Sequence, residues 1–261
     1  MTGIIEKTGA SAIYITKSLF DTLYFAVKII LKIFDRKTYN SATISVLINQ
    51  IYYTSVEILP FFICVSVILG TLIMGVVFQA IKNLGLDQYL GNVLIGFVIT
   101  ELSPFVTVML IALRSSSAIN TEIAVMKVNK EIHTLKVFHI DEIDYLFLPR
   151  IANGMISLVL LNGLFSIVLL TSGFLFSNII FGMDMNTYSN LLADSVYFSD
   201  MAILFLKCMT FGFFVTLIPV MYGRRASYQL TSIPVSVLQG MIRVFLAIVI
   251  IEVLSLIARS I

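Results

Sequence analysis

The sequence predicts an all-α membrane protein: an N-terminal amphipathic helix followed by five transmembrane helices. Three observations carry the prediction. First, 59% of the 261 residues are hydrophobic and 12% are charged, with a mean hydropathy of +1.00. Soluble domains carry about 25% charged residues, so lipid must supply the solvent that this apolar surface needs. Second, five apolar runs reach the roughly 20 residues that cross a hydrocarbon core as a helix. Third, lysine and arginine collect in alternate connections between those runs, as expected of a multi-pass protein.

The elements follow in order. Residues 11–35 form an amphipathic segment. Lys17, Asp21, Lys28 and Lys32 share one helical face, while Leu19, Phe20, Leu23, Val27, Ile30, Leu31 and Phe34 occupy the other. This helix is expected to lie in the cytoplasmic interface with its lysines towards anionic head groups. The alternative is a helix packed on the protein itself. The spans are predicted at 58–81, 93–113, 151–181, 201–221 and 235–257. Each must be helical, because backbone polar groups in lipid have to be satisfied within the segment. A short amphipathic cytoplasmic helix is expected at 123–137, and a long loop at 182–200.

Thirteen of the 17 basic residues precede the first span or lie in the connections after the second and fourth. That asymmetry places the N-terminus in the cytoplasm and the C-terminus outside. Lys82 and Arg259 fall on the opposite side, and Lys207 and Arg243 fall inside spans.

Several function classes find no support. A net charge of +2 does not call for nucleic acid. Cys64 and Cys208 sit in apolar runs and read as small buried hydrophobes rather than a disulfide pair. The first 17 residues lack the uninterrupted apolar core of a secretory signal. His133 and His139 are six residues apart, about 240° around a helix, which does not suit a helical metal pair. There is no nucleotide-binding loop or nucleophile triad, so the chain reads as non-catalytic, with no cofactor or metal of its own.

The intramembrane charges stand out. A charge at the bilayer centre costs on the order of 3 kcal/mol on insertion scales and usually faces a cavity or a partner. Glu101 lies about 12 Å and Lys207 about 9 Å from the outer starts of their predicted spans, at 1.5 Å per residue. Glu252 lies near the outer end of the last span. Matching depth fits an ion pair or the polar lining of an outward pocket. Snorkelling of Lys207 and a protonated core acid at Glu101 are the alternatives. Gly70 and Gly75 on the first span, and Gly212 on the fourth, permit close helix contacts.

Residues 100–161 resemble the MlaE/YrbE family of ABC-transporter permeases. Glu101, Leu102, Pro104, Arg114, Ser117, Ala118, Glu122, Met126, Leu135, Tyr145, Leu146, Pro149, Arg150 and Gly154 fall on the family pattern. Gln79 to Gly85 upstream, and Asp200 to Gly212 downstream, extend the likeness across most of residues 50–260. The resemblance implies an MlaE-like permease fold over 1–261 as one domain, a homodimer in a bacterial inner membrane. It implies a lipid pocket lined by Glu101, Lys207, Thr100, Leu102, Val76 and Gln79. It also implies a coupling helix, with Lys127, Lys130, Glu131, His133 and Leu135 contacting a cytoplasmic ATPase that holds ATP and Mg.

The remaining implied partners are a periplasmic MCE-domain protein, a small STAS-type accessory protein and phospholipid itself. The implied role is to move phospholipid between the inner membrane and the MCE partner, for outer-membrane lipid asymmetry or envelope lipid supply. Two rival readings stay open: an ion-coupled secondary transporter using Glu101, and a structural anchor of an envelope complex.

The chain departs from the family pattern in places. Thr100 stands where the family has Arg, so Lys207 is expected to be the main cation near Glu101. Asn129, Lys130 and Glu131 replace a Thr-Glu-Gln triplet, which predicts a compensating acid on the ATPase. The glycines of one family stretch are absent from the run Ala112 to Ala118.

Overall fold

The computed structural model describes residue 22 and residues 24–33, 35, 41–52, 56–86 and 89–260. Those residues form nine helices and no strand. They are α1 (residues 24–33), α2 (Ser41–Ile51), α3 (Leu59–Leu84), α4 (Leu90–Val128), α5 (Glu131–Val137), α6 (Ile143–Phe181), α7 (Met185–Ser195), α8 (Phe198–Arg224) and α9 (Ser232–Ser260). Five of them, α3, α4, α6, α8 and α9, are long and apolar enough to cross a membrane. Four contain the run predicted for them, and α3 begins one residue inside its own, at Leu59. The chain is a multi-pass membrane protein.

Helix α6 is the spine. At 39 residues it is about 58 Å long at 1.5 Å per residue, nearly twice a hydrocarbon core. It packs against α2, α3 and α8, and α8 in turn packs against α9 and the last third of α4. Tight backbone approach holds α6 to α8. A Cβ on Gly212 would stand 2.6 Å from the Gly154 carbonyl oxygen and from the Met155 Cα. Without side chains at these two positions the helices come close enough for extensive dispersion contact, the main packing term once lipid replaces water. Gly70, by contrast, has only ordinary contact distances. Between α4 and α6, Ser103 donates to Asn162 Oδ1 at 2.9 Å.

The buried residues form two clusters. One fills the bundle with Phe62, Met74, Phe78, Leu94, Phe165 and Phe211. The other sits at the end that carries most of the lysine and arginine, where Phe25 and Ile29 of α1 meet Ile123, Phe147 and Leu217. We call this end the basic end.

Four expectations need correction or completion. The helix expected over 123–137 is two pieces. Lys130 has φ 62°, and this left-handed residue separates the end of α4 from α5. The loop expected at 182–200 contains α7. Asp184 caps α7 by accepting from the Thr187 N–H at 3.2 Å, an arrangement that satisfies an orphan donor of the first turn. Tyr188 of α7 is buried, which pushes its phenol up to about 12, and its hydroxyl donates to the Leu170 carbonyl at 3.0 Å. Helix α2 was not expected, and it packs on α6.

Helix α1 turns Phe25, Ala26 and Ile29 to the protein and leaves Tyr24, Val27 and Leu31 exposed. Lys32 was expected to face head groups. It pairs instead with Asp141 and Asp144, each at 2.6 Å. Of the other predicted face residues, Lys28 is half-buried and Ile30 exposed, while Lys17, Leu19, Phe20, Asp21, Leu23 and Phe34 lie outside the described residues, as does the first half of the 11–35 segment.

Candidate functional site

Helix α4 is not a regular α-helix. Leu94–Leu102 and Ala112–Ser116 are π-helical, and Pro104 follows the first of these segments. Proline has no N–H to donate, so the carbonyl of Thr100, four residues earlier, lacks its α-helical donor. Widened turns of this kind are frequent at functional sites. Here the irregular turn carries Thr100 and Glu101 and aims them at α8 and α9.

Lys207 of α8 fills the space in front of that turn. Its ammonium donates to Glu101 Oε2, to Glu252 Oε1 of α9 at 3.0 Å, and to the Thr100 carbonyl at 3.5 Å. Thr100, Glu101 and Lys207 are all at least 95% buried, so the lysine does not snorkel and its matching depth with Glu101 becomes an ion pair. Arg259, near the end of α9, completes the cluster. It donates to Thr100 Oγ1 at 2.7 Å, to Glu101 Oε1 at 3.3 Å, to Asp200 Oδ1 at 3.3 Å, and also to the Gly96 carbonyl. Thr100 Oγ1 itself donates back to the Gly96 carbonyl at 2.6 Å. Three helices therefore meet at two cations held among three carboxylates. The cluster lies at the end of the bundle opposite the basic end.

Arg259 and Asp200 were not among the predicted site residues. Arg259 read as an ordinary charge beyond the last span, because its depth alone does not distinguish it. The missing arginine at position 100 was the signal: a cation had to come from elsewhere. It comes from α9, 159 residues away along the chain.

The other predicted pocket residues are distributed differently. Leu102 is half-buried and packs against the bundle core. Val76 and Gln79 are exposed on α3, where they line a groove of about 600 Å³ with Gly75, Phe176 and Ile180. None of the cluster residues lines that groove.

At the basic end, the predicted partner-contacting residues lie on both sides of the Lys130 break. Lys127 sits 4.8 Å from the Tyr228 ring centroid, and the Asn129 amide donates to Glu131 Oε1 at 3.2 Å. His133 is exposed and Leu135 half-buried. Phe138, just after α5, is 70% exposed. Two further residues of the resemblance pair with each other, since the buried Arg150 donates to Glu122 at 2.5 Å. Among the described residues no group of His, Cys, Asp and Glu could hold a metal.

A family model described as permease MlaE matches residues 47–258. The chain belongs to the MlaE permease family. It is 26% identical over 178 residues to the intermembrane phospholipid transport system permease protein MlaE of Haemophilus influenzae, covering 68% of each chain. It is 29% identical over 141 residues to the chloroplastic protein TRIGALACTOSYLDIACYLGLYCEROL 1 of Arabidopsis thaliana, covering 54% of this chain and 40% of that one. It is 27% identical over 139 residues to a probable ABC transporter permease protein of Synechocystis, covering 53% of both. The chain thus spans about half or less of the length of these last two relatives. The MlaE match takes in Thr100, Glu101, Asp200, Lys207 and Glu252 and stops one residue short of Arg259.

Proposed function

We propose that the chain is the non-catalytic, membrane-spanning permease subunit of an ATP-driven transporter that moves phospholipid between the inner membrane and an MCE-domain partner. The observation that carries this reading is the cluster of buried Glu101 and Lys207 with half-buried Glu252, Arg259 and Asp200. A zwitterionic phospholipid head group offers one anion to the two cations and one cation to the carboxylates, while Lys207 keeps Glu252. The phosphate takes Lys207 and Arg259, and the amine takes Glu101 and Asp200. Uncompensated burial of any one of these charges would be costly, so exchange of partners is the low-cost way to open the cluster. The exposed Val76 and Gln79 groove on α3 supplies apolar wall for the acyl chains.

Two copies of the chain would complete the pocket, and the N-terminus and basic end face the cytoplasm. Lys127, Lys130, Glu131, His133 and Leu135, with exposed Phe138, form the docking surface for a separate ATPase holding ATP and Mg. A small STAS-type protein would accompany it. The ATPase drives the cycle by binding one state of the permease better than the other. The names of the Haemophilus and Synechocystis relatives support the assignment to lipid transport and to an ABC system.

The test is reconstitution with the ATPase and MCE partner in proteoliposomes carrying a labelled phospholipid. ATP-dependent transfer to the MCE protein is expected, and Glu101→Ala or Lys207→Ala should abolish it. A structural anchor would leave transfer intact in both variants. The excess of carboxylates over cations favours a second reading, a proton-coupled transporter using Glu101. A pH gradient that drives lipid movement without the ATPase would decide for it.

A further inference from the structure

At the basic end, about 340 Å³ of open space lies between α1 and the ends of α6 and α8. That is within the size range of small-ligand sites. Its lining divides by chemistry. Lys28, Arg224 and Arg225 supply three positive charges, and Tyr24, Phe25, Ile143 and Met221 supply aromatic and apolar wall. No carboxylate is among the described lining residues.

The nearby acids are already paired, one of them with the lining cation Arg224. Lys32 holds Asp141 and Asp144, and Lys136 and Arg224 hold Glu142 at 3.3 and 3.1 Å. Arg224 is also fixed between two rings, with its guanidinium 4.9 Å from the Phe25 centroid and 5.0 Å from the Phe147 centroid. It is a rigid donor rather than a free surface charge. On the far side of α1, Val27 and Leu31 are exposed, a face that suits lipid and brings the cavity to the membrane surface.

We infer that this cavity binds the head group of an anionic phospholipid from the leaflet at the basic end, its phosphate held by Lys28, Arg224 and Arg225. Cations beside an apolar wall match a phosphodiester on an amphiphile better than a free anion, which has no use for Phe25, Ile143 and Met221. The site is separate from the Glu101 cluster, which lies at the opposite end. The inference needs only that the chain spans a membrane, not that it transports lipid.

A photoreactive phosphatidylglycerol tests it, with the full chain in phosphatidylcholine nanodiscs and crosslinked peptides mapped by mass spectrometry. Crosslinks are expected on residues 24–28 and 221–225, displaced by unlabelled phosphatidylglycerol but not by added phosphatidylcholine or inorganic phosphate. Lys28→Gln with Arg225→Gln removes two cations, each worth about 1 kcal/mol towards anionic lipid, and should cut the yield roughly thirtyfold. The charge-preserving pair Lys28→Arg and Arg225→Lys should keep it, which separates loss of charge from loss of fold. Equal displacement by phosphatidylcholine, full yield in the glutamine pair, or displacement by inorganic phosphate alone would each overturn the assignment.

Discussion

Lys207 is the residue on which the cluster depends. It touches two carboxylates from two helices, and its side chain is 2% exposed. Removing one partner of a buried pair leaves an uncompensated charge, a loss of about 3–5 kcal/mol. Lys207→Met is therefore expected to lower thermal stability in detergent strongly, and adding Glu101→Gln should restore part of it. Arg259→Gln should cost less, since that side chain is 28% exposed. Glycines give a second test at this scale. Gly212→Ala places a methyl against backbone that cannot turn aside, and overpacking of this kind costs about 1–3 kcal/mol. Gly163→Ala meets nothing within 4 Å and is expected to be neutral or slightly stabilising, because alanine is the better helix former. Thermal melts of both variants, side by side, check the contrast.

Among the elements, α1 is held by a charge contact as well as by its buried face. Burial pushes the Asp141 carboxyl up, but its hydrogen bonds and the positive charge of Lys32 outweigh burial and hold it below the usual carboxylate range. Lys32 is likewise raised despite burial, through Asp141 and Asp144. A depressed acid stabilises above its unfolded pKa, about 3.9, and loses that contribution as pH falls through the folded value. A raised lysine stabilises below its unfolded value, about 10.4, and loses that contribution as pH rises through the folded one. The contact should thus be complete at neutral pH and fail in strong acid and strong base. Hydrogen exchange of residues 24–33 should rise as the pH falls from the ordinary carboxylate value, about 3.9, through the depressed value of Asp141. In Asp141→Asn with Asp144→Asn it should already be raised at neutral pH. Helix α4 shows the other elemental device, a proline that frees a carbonyl and a π turn that aims an acid sideways.

Across the whole molecule, burial grades the spans. The apolar window of α4 is 61% buried and that of α9 only 11%, so α9 is the helix most dependent on its end contacts. One end is held where the Asn120 amide donates to the Ser236 carbonyl at 3.1 Å. The other is held by Glu252 and Arg259. Deleting residues 258–261 is expected to raise hydrogen exchange over residues 250–257 while leaving α6 and α8 protected. Equal protection in both chains would show that lateral packing alone secures α9.

The five spans were legible because lipid imposes a length and a composition on any helix that crosses it, and those constraints act on each run separately. The pairing of Glu101 with Lys207 was half legible, because depth along a helix is a local count and a charge at depth needs a partner. The break at Lys130 and the helix after Asp184 were hidden, since single-residue backbone geometry and short polar helices carry weak periodic signals. Arg259 could not be found locally at all. Its place beside Thr100 and Asp200 follows from how α9 crosses α4 and α8, and nothing in the few residues around it records that crossing. Composition and periodicity act along the chain, so the membrane-spanning helices could be read from it. The ion cluster is made by contacts between helices, so only their packing could assemble it.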